Sequence, residues 1–249
     1  MSQSIILCEG NTDFSLLQIY MREVHNWNED KSYQKDVIKI PGQKSRMFNR
    51  AGDYLTVMAT GGCTRITEGL ELVLDRIIQA SPPFESAFNK IVIVTDNDEI
   101  DTVETFVSNI ENKLKEKAVS FSSNLKNKKW LDCKVTTSVG IPLDFQLLVL
   151  VIPFEHQGAM ETFLLDAISE NDSYDKALVD KCRDFVKKAD PEKRYLKHRS
   201  LITKAEFSSF FCIRTPADAY SERSSLLKKD ITWSEYSVIR KEFEFLKKL

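Results

Sequence analysis

Short apolar runs alternate along the chain with stretches whose apolar residues recur every three or four positions. The first run, Ser4 to Glu9, reads as a buried strand. Residues 12–24 read as a helix, because Phe14, Leu17 and Met21 share one face with Leu16 and Tyr20 beside it, and Thr12 suits a cap. A polar stretch, 26–35, predicts a loop. Val37-Ile38-Lys39-Ile40 predicts a second strand, ended by Pro41-Gly42. Gln43 to Asp53 is polar and basic and reads as a loop, and Tyr54 to Ala59 as a short strand. Leu70, Val73, Leu74 and Ile77 then mark a helix over 64–80, stopped by Ser81-Pro82-Pro83. A strand at Lys90 to Thr95, a helix over 102–118 and a polar connection over 120–132 follow. Two strands are predicted at Cys133 to Val139 and Phe145 to Ile152.

Beyond Pro153 the strand pattern stops. Helices are predicted over about 158–169, 174–188, 200–211, 216–228 and 233–247. The alternation predicts an α/β fold: a mostly parallel, Rossmann-like sheet flanked by helices over 1–155, with a helical extension over 156–249 packed on it.

Composition adds few constraints. The 249 residues carry a net charge of −2, so a nucleic-acid partner would need a local basic face rather than a basic chain. No apolar run reaches membrane-spanning length, and the first residues are too short an apolar stretch for a signal sequence. Five cysteines, at 8, 63, 133, 182 and 212, form no CxxC pair, which suits reduced thiols in the cytoplasm. Three scattered histidines are too few for a zinc site on their own.

The candidate chemistry lies where two apolar strands end in carboxylates. One continues as Cys8-Glu9-Gly10-Asn11-Thr12-Asp13, the other as Thr95-Asp96-Asn97-Asp98. Ligands of parallel sheets bind beyond the carboxyl ends of the strands. If these two strands are neighbours, Glu9, Asp96 and Asp98 crowd into one volume, and a hard cation such as Mg2+ (or Mn2+) would neutralise them. Gly10 leaves room for a backbone or phosphate to approach.

Glu-Gly-x-x-Asp on a first strand end, followed by Asp-x-Asp on a later one, resembles the Toprim domain of topoisomerases, bacterial primases and overcoming-lysogenisation-defect nucleases. The resemblance covers residues 1 to about 155. It implies metal ligation by Asp96 and Asp98, with Glu9 as general acid/base or ligand and Asp13 as a further acid. It also implies Mg2+- or Mn2+-dependent cleavage of phosphodiesters in DNA or RNA. An insertion within 26–60 departs from a compact Toprim core. The chain shows no topoisomerase breakage domain with an obvious tyrosine and no zinc-binding primase module.

Further candidates are weaker one by one. The turn Gly61-Gly62 precedes a helix and would offer amides to a phosphate. Glu155 or Glu161, after the last strand, would complete a second metal site, as in the lysogenisation-defect nucleases. Those enzymes also use a late lysine, for which Lys204, beyond the basic stretch Lys197-His198-Arg199, is the candidate. Lys44, Arg46 and Arg50 would hold a nucleic-acid backbone. Expected partners are nucleic acid and, as an option, a second copy of the chain in a homodimer, with no membrane. Two other readings stay open. One is a non-catalytic binding or regulatory module. The other is a phosphatase of the haloacid-dehalogenase type, disfavoured because Ile100 stands where that family has Thr or Val.

Overall fold

A computed structural model describes residues 2–30, 38, 40, 43–84, 87–98, 102–218, 227 and 231–249. Ile100 of the phosphatase reading, and Val37, Lys39, Pro41 and Gly42 of the second predicted strand and its end, lie outside the described residues. So does most of the helix predicted over 216–228. Ile38 and Ile40 are described; both are buried and neither is in a strand.

The strands are β1 (Gln3–Cys8), β2 (Asn28–Glu29), β3 (Ser45–Arg50), β4 (Asp53–Ala59), β5 (Lys90–Asp96), β6 (Ser120–Phe121), β7 (Leu131–Thr136) and β8 (Pro142–Ile152). They form one eight-stranded sheet in the order β2-β3-β4-β1-β5-β8-β7-β6. The pairs β4–β1, β1–β5 and β5–β8 are parallel. The outer pairs, β2–β3, β3–β4, β8–β7 and β7–β6, are antiparallel. The fold is therefore α/β, but the sheet is mixed rather than mostly parallel. Hairpins have been added at both edges of a parallel centre.

One of those hairpins falls where a loop was expected. Ser45–Arg50 is strand β3, joined to β4 by a turn at Ala51 and Gly52, both at positive φ. Its polarity suits a strand bordered on the outer side only by the two-residue β2, with Met47 and Phe48 buried and Ser45 and Arg46 exposed.

The helices are α1 (Asn11–His25), α2 (Cys63–Ile78), α3 (Thr102–Glu116), α4 (Met160–Asn171), α5 (Ser173–Ala189), α6 (Arg199–Arg214) and α7 (Ser237–Glu242). The helix predicted over 233–247 is broken into 3-10 turns at Trp233–Glu235 and Glu244–Lys248 around α7. No helix among the described residues is long and apolar enough to cross a membrane.

The central strands bury both faces, which explains their unbroken apolar runs. Ile6, Val92, Val94, Leu148 and Leu150 face α1 and the carboxyl-terminal helices in one core. Ile5, Leu7, Ile91, Ile93 and Val149 face α2 and α3 in the other. The helices beyond residue 155 thus share the core of α1 and cover one face of the sheet.

Candidate acidic centre at the strand ends

β1 and β5 are parallel neighbours, with Cys8 in register with Val94. Glu9 therefore leaves β1 beside Thr95, with Asp96 one residue further along at the end of β5. Carboxylate oxygens of Glu9, Asp96 and Asp98 all lie within 4.8 Å of one another. Each is held by a group on a neighbouring element. Glu9 Oε2 accepts from Thr95 Oγ1 at 2.9 Å and from the Asp96 amide at 3.3 Å. Asp96 Oδ1 accepts from the Met160 amide at 3.0 Å, at the amino end of α4, where the helix dipole favours an anion.

Two further carboxylates, both buried, close the floor. Asp13, in the first turn of α1, accepts from the Gly10 amide through Oδ2 at 2.8 Å. Its Oδ1 is buried and accepts no hydrogen bond. Glu161, in the first turn of α4, accepts from Thr12 Oγ1 at 2.9 Å. Glu155, the alternative, is exposed and pairs with Lys128 at 3.7 Å, so Glu161 is the acid that joins the group.

This crowding shows in the acidities. Burial above all, then the charges of Glu161 and Glu9, push the Asp13 carboxyl up to about 8, against the lowering effect of the Gly10 amide. Burial likewise holds Asp96 well above the ordinary carboxylate range, helped by the charges of Asp13, Glu9, Glu161 and Asp98. The Cys63 thiol, at the start of α2, is raised by burial and then by the field of Glu9.

A cation meets the group at Asp98. Arg199, the first residue of α6, donates to Asp98 Oδ1 and to the Asn97 carbonyl, each at 3.1 Å, and to Gln157 Oε1 at 3.3 Å. The expected residue, Lys204, is half-buried on α6 and makes no ion pair among the described residues. The signal for Arg199 was the same basic stretch; what the sequence hid was which end of it meets the strand ends.

The remaining candidates are placed as follows. Gly61 and Gly62 have positive φ, 87° and 138°, which favours glycine, and both amides donate to the Glu9 carbonyl, at 3.0 and 3.2 Å. The turn anchors the end of β1, and these amides are occupied. Lys44 is exposed at the start of β3, its carbonyl bonded to the Ala59 amide, at the same end of the sheet as Glu9. Arg46 pairs with Glu29 at 2.8 Å, and Arg50 lies over Trp27 at 4.4 Å.

Asn97 was not anticipated. Its side chain donates to the carbonyls of Pro153 and His156, both at 3.0 Å, while its carbonyl accepts from the Gly158 amide at 2.8 Å. These bonds fix the approach to α4, and so the positions of Met160 and Glu161. A Cβ on Gly158 would meet Pro153 Cγ and Thr162 Cβ, each at 2.9 Å. Gly158→Ala is expected to destabilise the protein by about 1–3 kcal/mol through overpacking, read as a lower urea midpoint with unchanged m-value.

The chain belongs to the DUF3226 family, described as a protein of unknown function, whose model matches residues 3–249. Among solved structures it is similar to hypothetical protein PH0156 from Pyrococcus horikoshii OT3. That likeness has 16% identity and a TM-score of 0.53, over 99% of this chain and 100% of that one, and it speaks to the fold alone. A lactoylglutathione lyase from Agrobacterium tumefaciens, 10% identical over 59% of this chain and 92% of that one, has a TM-score of 0.18 and carries no argument. No curated protein matches the chain.

Proposed function

We propose that this member of the DUF3226 family is a Mg2+- or Mn2+-dependent phosphodiester-cleaving enzyme of the Toprim type, acting on nucleic acid. The observation that carries the reading is the gathering of Glu9, Asp13, Asp96, Asp98 and Glu161 at the ends of β1 and β5, with Arg199 paired to Asp98. The donors are all carboxylate oxygens, a hard set that suits Mg2+ and not zinc or copper. The buried, unpartnered Asp13 Oδ1 is the kind of atom a cation satisfies. The same proposal takes residues 1–155 as a Toprim-like sheet with added edge hairpins.

Glu9, Asp96 and Asp98 would hold the cation, with Asp13 and Glu161 supporting them. When bound, it supplies charge neutralisation to a phosphate and acidifies a coordinated water. The protein's own part is to hold these acids in place before substrate arrives. Thr95 and the Asp96 amide orient Glu9, the Met160 amide orients Asp96, and Thr12 orients Glu161. Glu9 is half-buried at the edge of the group, open enough to exchange a proton with a reacting oxygen. A reducing, cytoplasmic location belongs to the proposal, since all five cysteines are free thiols.

The test is incubation of the full chain with single-stranded and duplex DNA and with RNA, in Mg2+, Mn2+ or EDTA. Cleavage in either metal and none in EDTA is expected. Binding of nucleic acid with no cleavage in any metal would favour a non-catalytic module.

A further inference from the structure

The segment between α5 and α6 is a basic strip whose last residue, Arg199, meets the acidic group at Asp98. Lys193, Arg194, Lys197 and Arg199 lie within seven consecutive residues, with Tyr195 and His198 among them and no acid. Asp190 folds the segment, accepting from the amides of Arg194, Tyr195 and Leu196 at 3.0, 2.7 and 2.7 Å. Those amide bonds, Leu196 first, hold the Asp190 carboxyl below its ordinary range, so it stays a charged anchor across neutral pH.

The side chains this anchor presents face outward. Lys193, Arg194, Lys197 and His198 are exposed, and Tyr195 is 70% exposed with the Arg194 guanidinium 5.3 Å from its ring centre. Lys193, Arg194 and Lys197 form no ion pair among the described residues, and the first turn of α6 holds no acid. In a chain of net charge −2, this is a local concentration of positive side chains, with the Asp190 carboxylate bonded to its backbone. Glu192 is the acid next to it in sequence. The strip ends at Arg199, whose guanidinium already rests on Asp98.

We infer that the 193–199 strip holds a single-stranded nucleic acid against the acidic centre, with Lys193, Arg194 and Lys197 on its phosphates, Tyr195 stacked on a base, and Arg199 next to the phosphate nearest Asp98. The inference rests on the proposed function. It supplies what the acidic group lacks, since carboxylates alone repel a polyanion. Cations that track a backbone beside an exposed aromatic ring are how unpaired strands are gripped, and stacking on Tyr195 requires a base free of its partner.

The experiment is fluorescence anisotropy with a labelled single-stranded oligonucleotide and with its duplex. It uses Ca2+ as the probe cation, the full chain, the triple variant K193E/R194E/K197E and Tyr195→Ala. The triple variant is expected to weaken single-strand binding by about a hundredfold or more and to flatten its salt dependence by about two to three phosphate contacts. Tyr195→Ala should weaken single-strand binding about tenfold and leave duplex binding unchanged. Wild-type affinity in the triple variant, or an equal effect of Tyr195→Ala on both probes, would overturn the inference. The Mn2+-induced rise in melting temperature is measured on the same proteins. If that rise persists while no oligonucleotide binds, the strip assignment fails and the metal reading stands; if neither is seen, the proposed function fails too.

Discussion

Glu9→Gln and Asp96→Asn are each expected to lower metal-dependent cleavage by about a hundredfold or more, while raising the melting temperature of the metal-free protein. The two effects share one cause. Asp96 is half-buried beside four other carboxylates, and its burial and then their charges push its acidity down, so the folded state carries a cost that the unfolded chain does not. An amide keeps the shape and removes a charge. The Asp96 side chain also accepts from the Met160 amide, and the amide oxygen of asparagine can keep that bond. A residue serving only as a helix cap would behave differently, since its neutral replacement would cost stability and leave any activity intact. Rates and melting curves for the wild type and both variants, with and without EDTA, separate the two cases.

The metal-free protein is also expected to lose stability as pH rises from about 4 to about 8. The Asp13 carboxyl gives up its proton near its ordinary value of 3.8 when unfolded and near 8 when folded, chiefly because it is buried. A carboxyl raised in the folded state gives its full contribution below the unfolded value, and that contribution is lost as pH climbs to the folded one. Asp96 shifts in the same direction, burial again first. Because Asp96 contributes alongside it, the informative quantity is the difference in melting temperature between wild type and Asp13→Asn. That difference should grow in favour of the variant between pH 5 and 8 and shrink in saturating Mg2+. A constant difference would contradict the account.

Much of the architecture was legible because the central strands bury both faces. The apolar runs at Ile5, Ile91 and Leu147 could be read without knowing their order. Adjacency of the two acidic strand ends was a condition in the sequence and is met by the pairing of β1 with β5. The edges were harder. β3 reads as polar because only Met47 and Phe48 are buried, and a strand bordered outward only by the two-residue β2 needs no more apolar surface than that. The antiparallel hairpins at both edges follow from tertiary pairing, which local pattern does not encode.

The site was legible in its acids, which stand on strand ends and first helical turns, and less so in its other groups. Arg199 and Lys204 are equivalent candidates as sequence, five positions apart, one at the end of a basic stretch and the other beyond it. Only the packing of α6 puts the first on Asp98. Gly61-Gly62 looked like a phosphate cradle because a glycine turn before a helix is the same pattern whether its amides face a ligand or, as here, the Glu9 carbonyl.

The most direct test of the central claim is a titration of metal-free protein with Mn2+, following free Mn2+ by electron paramagnetic resonance. Saturable binding in the wild type, lost in Asp96→Asn while the variant remains folded, is the predicted result. No saturable binding in the wild type, or undiminished binding in Asp96→Asn, would contradict it.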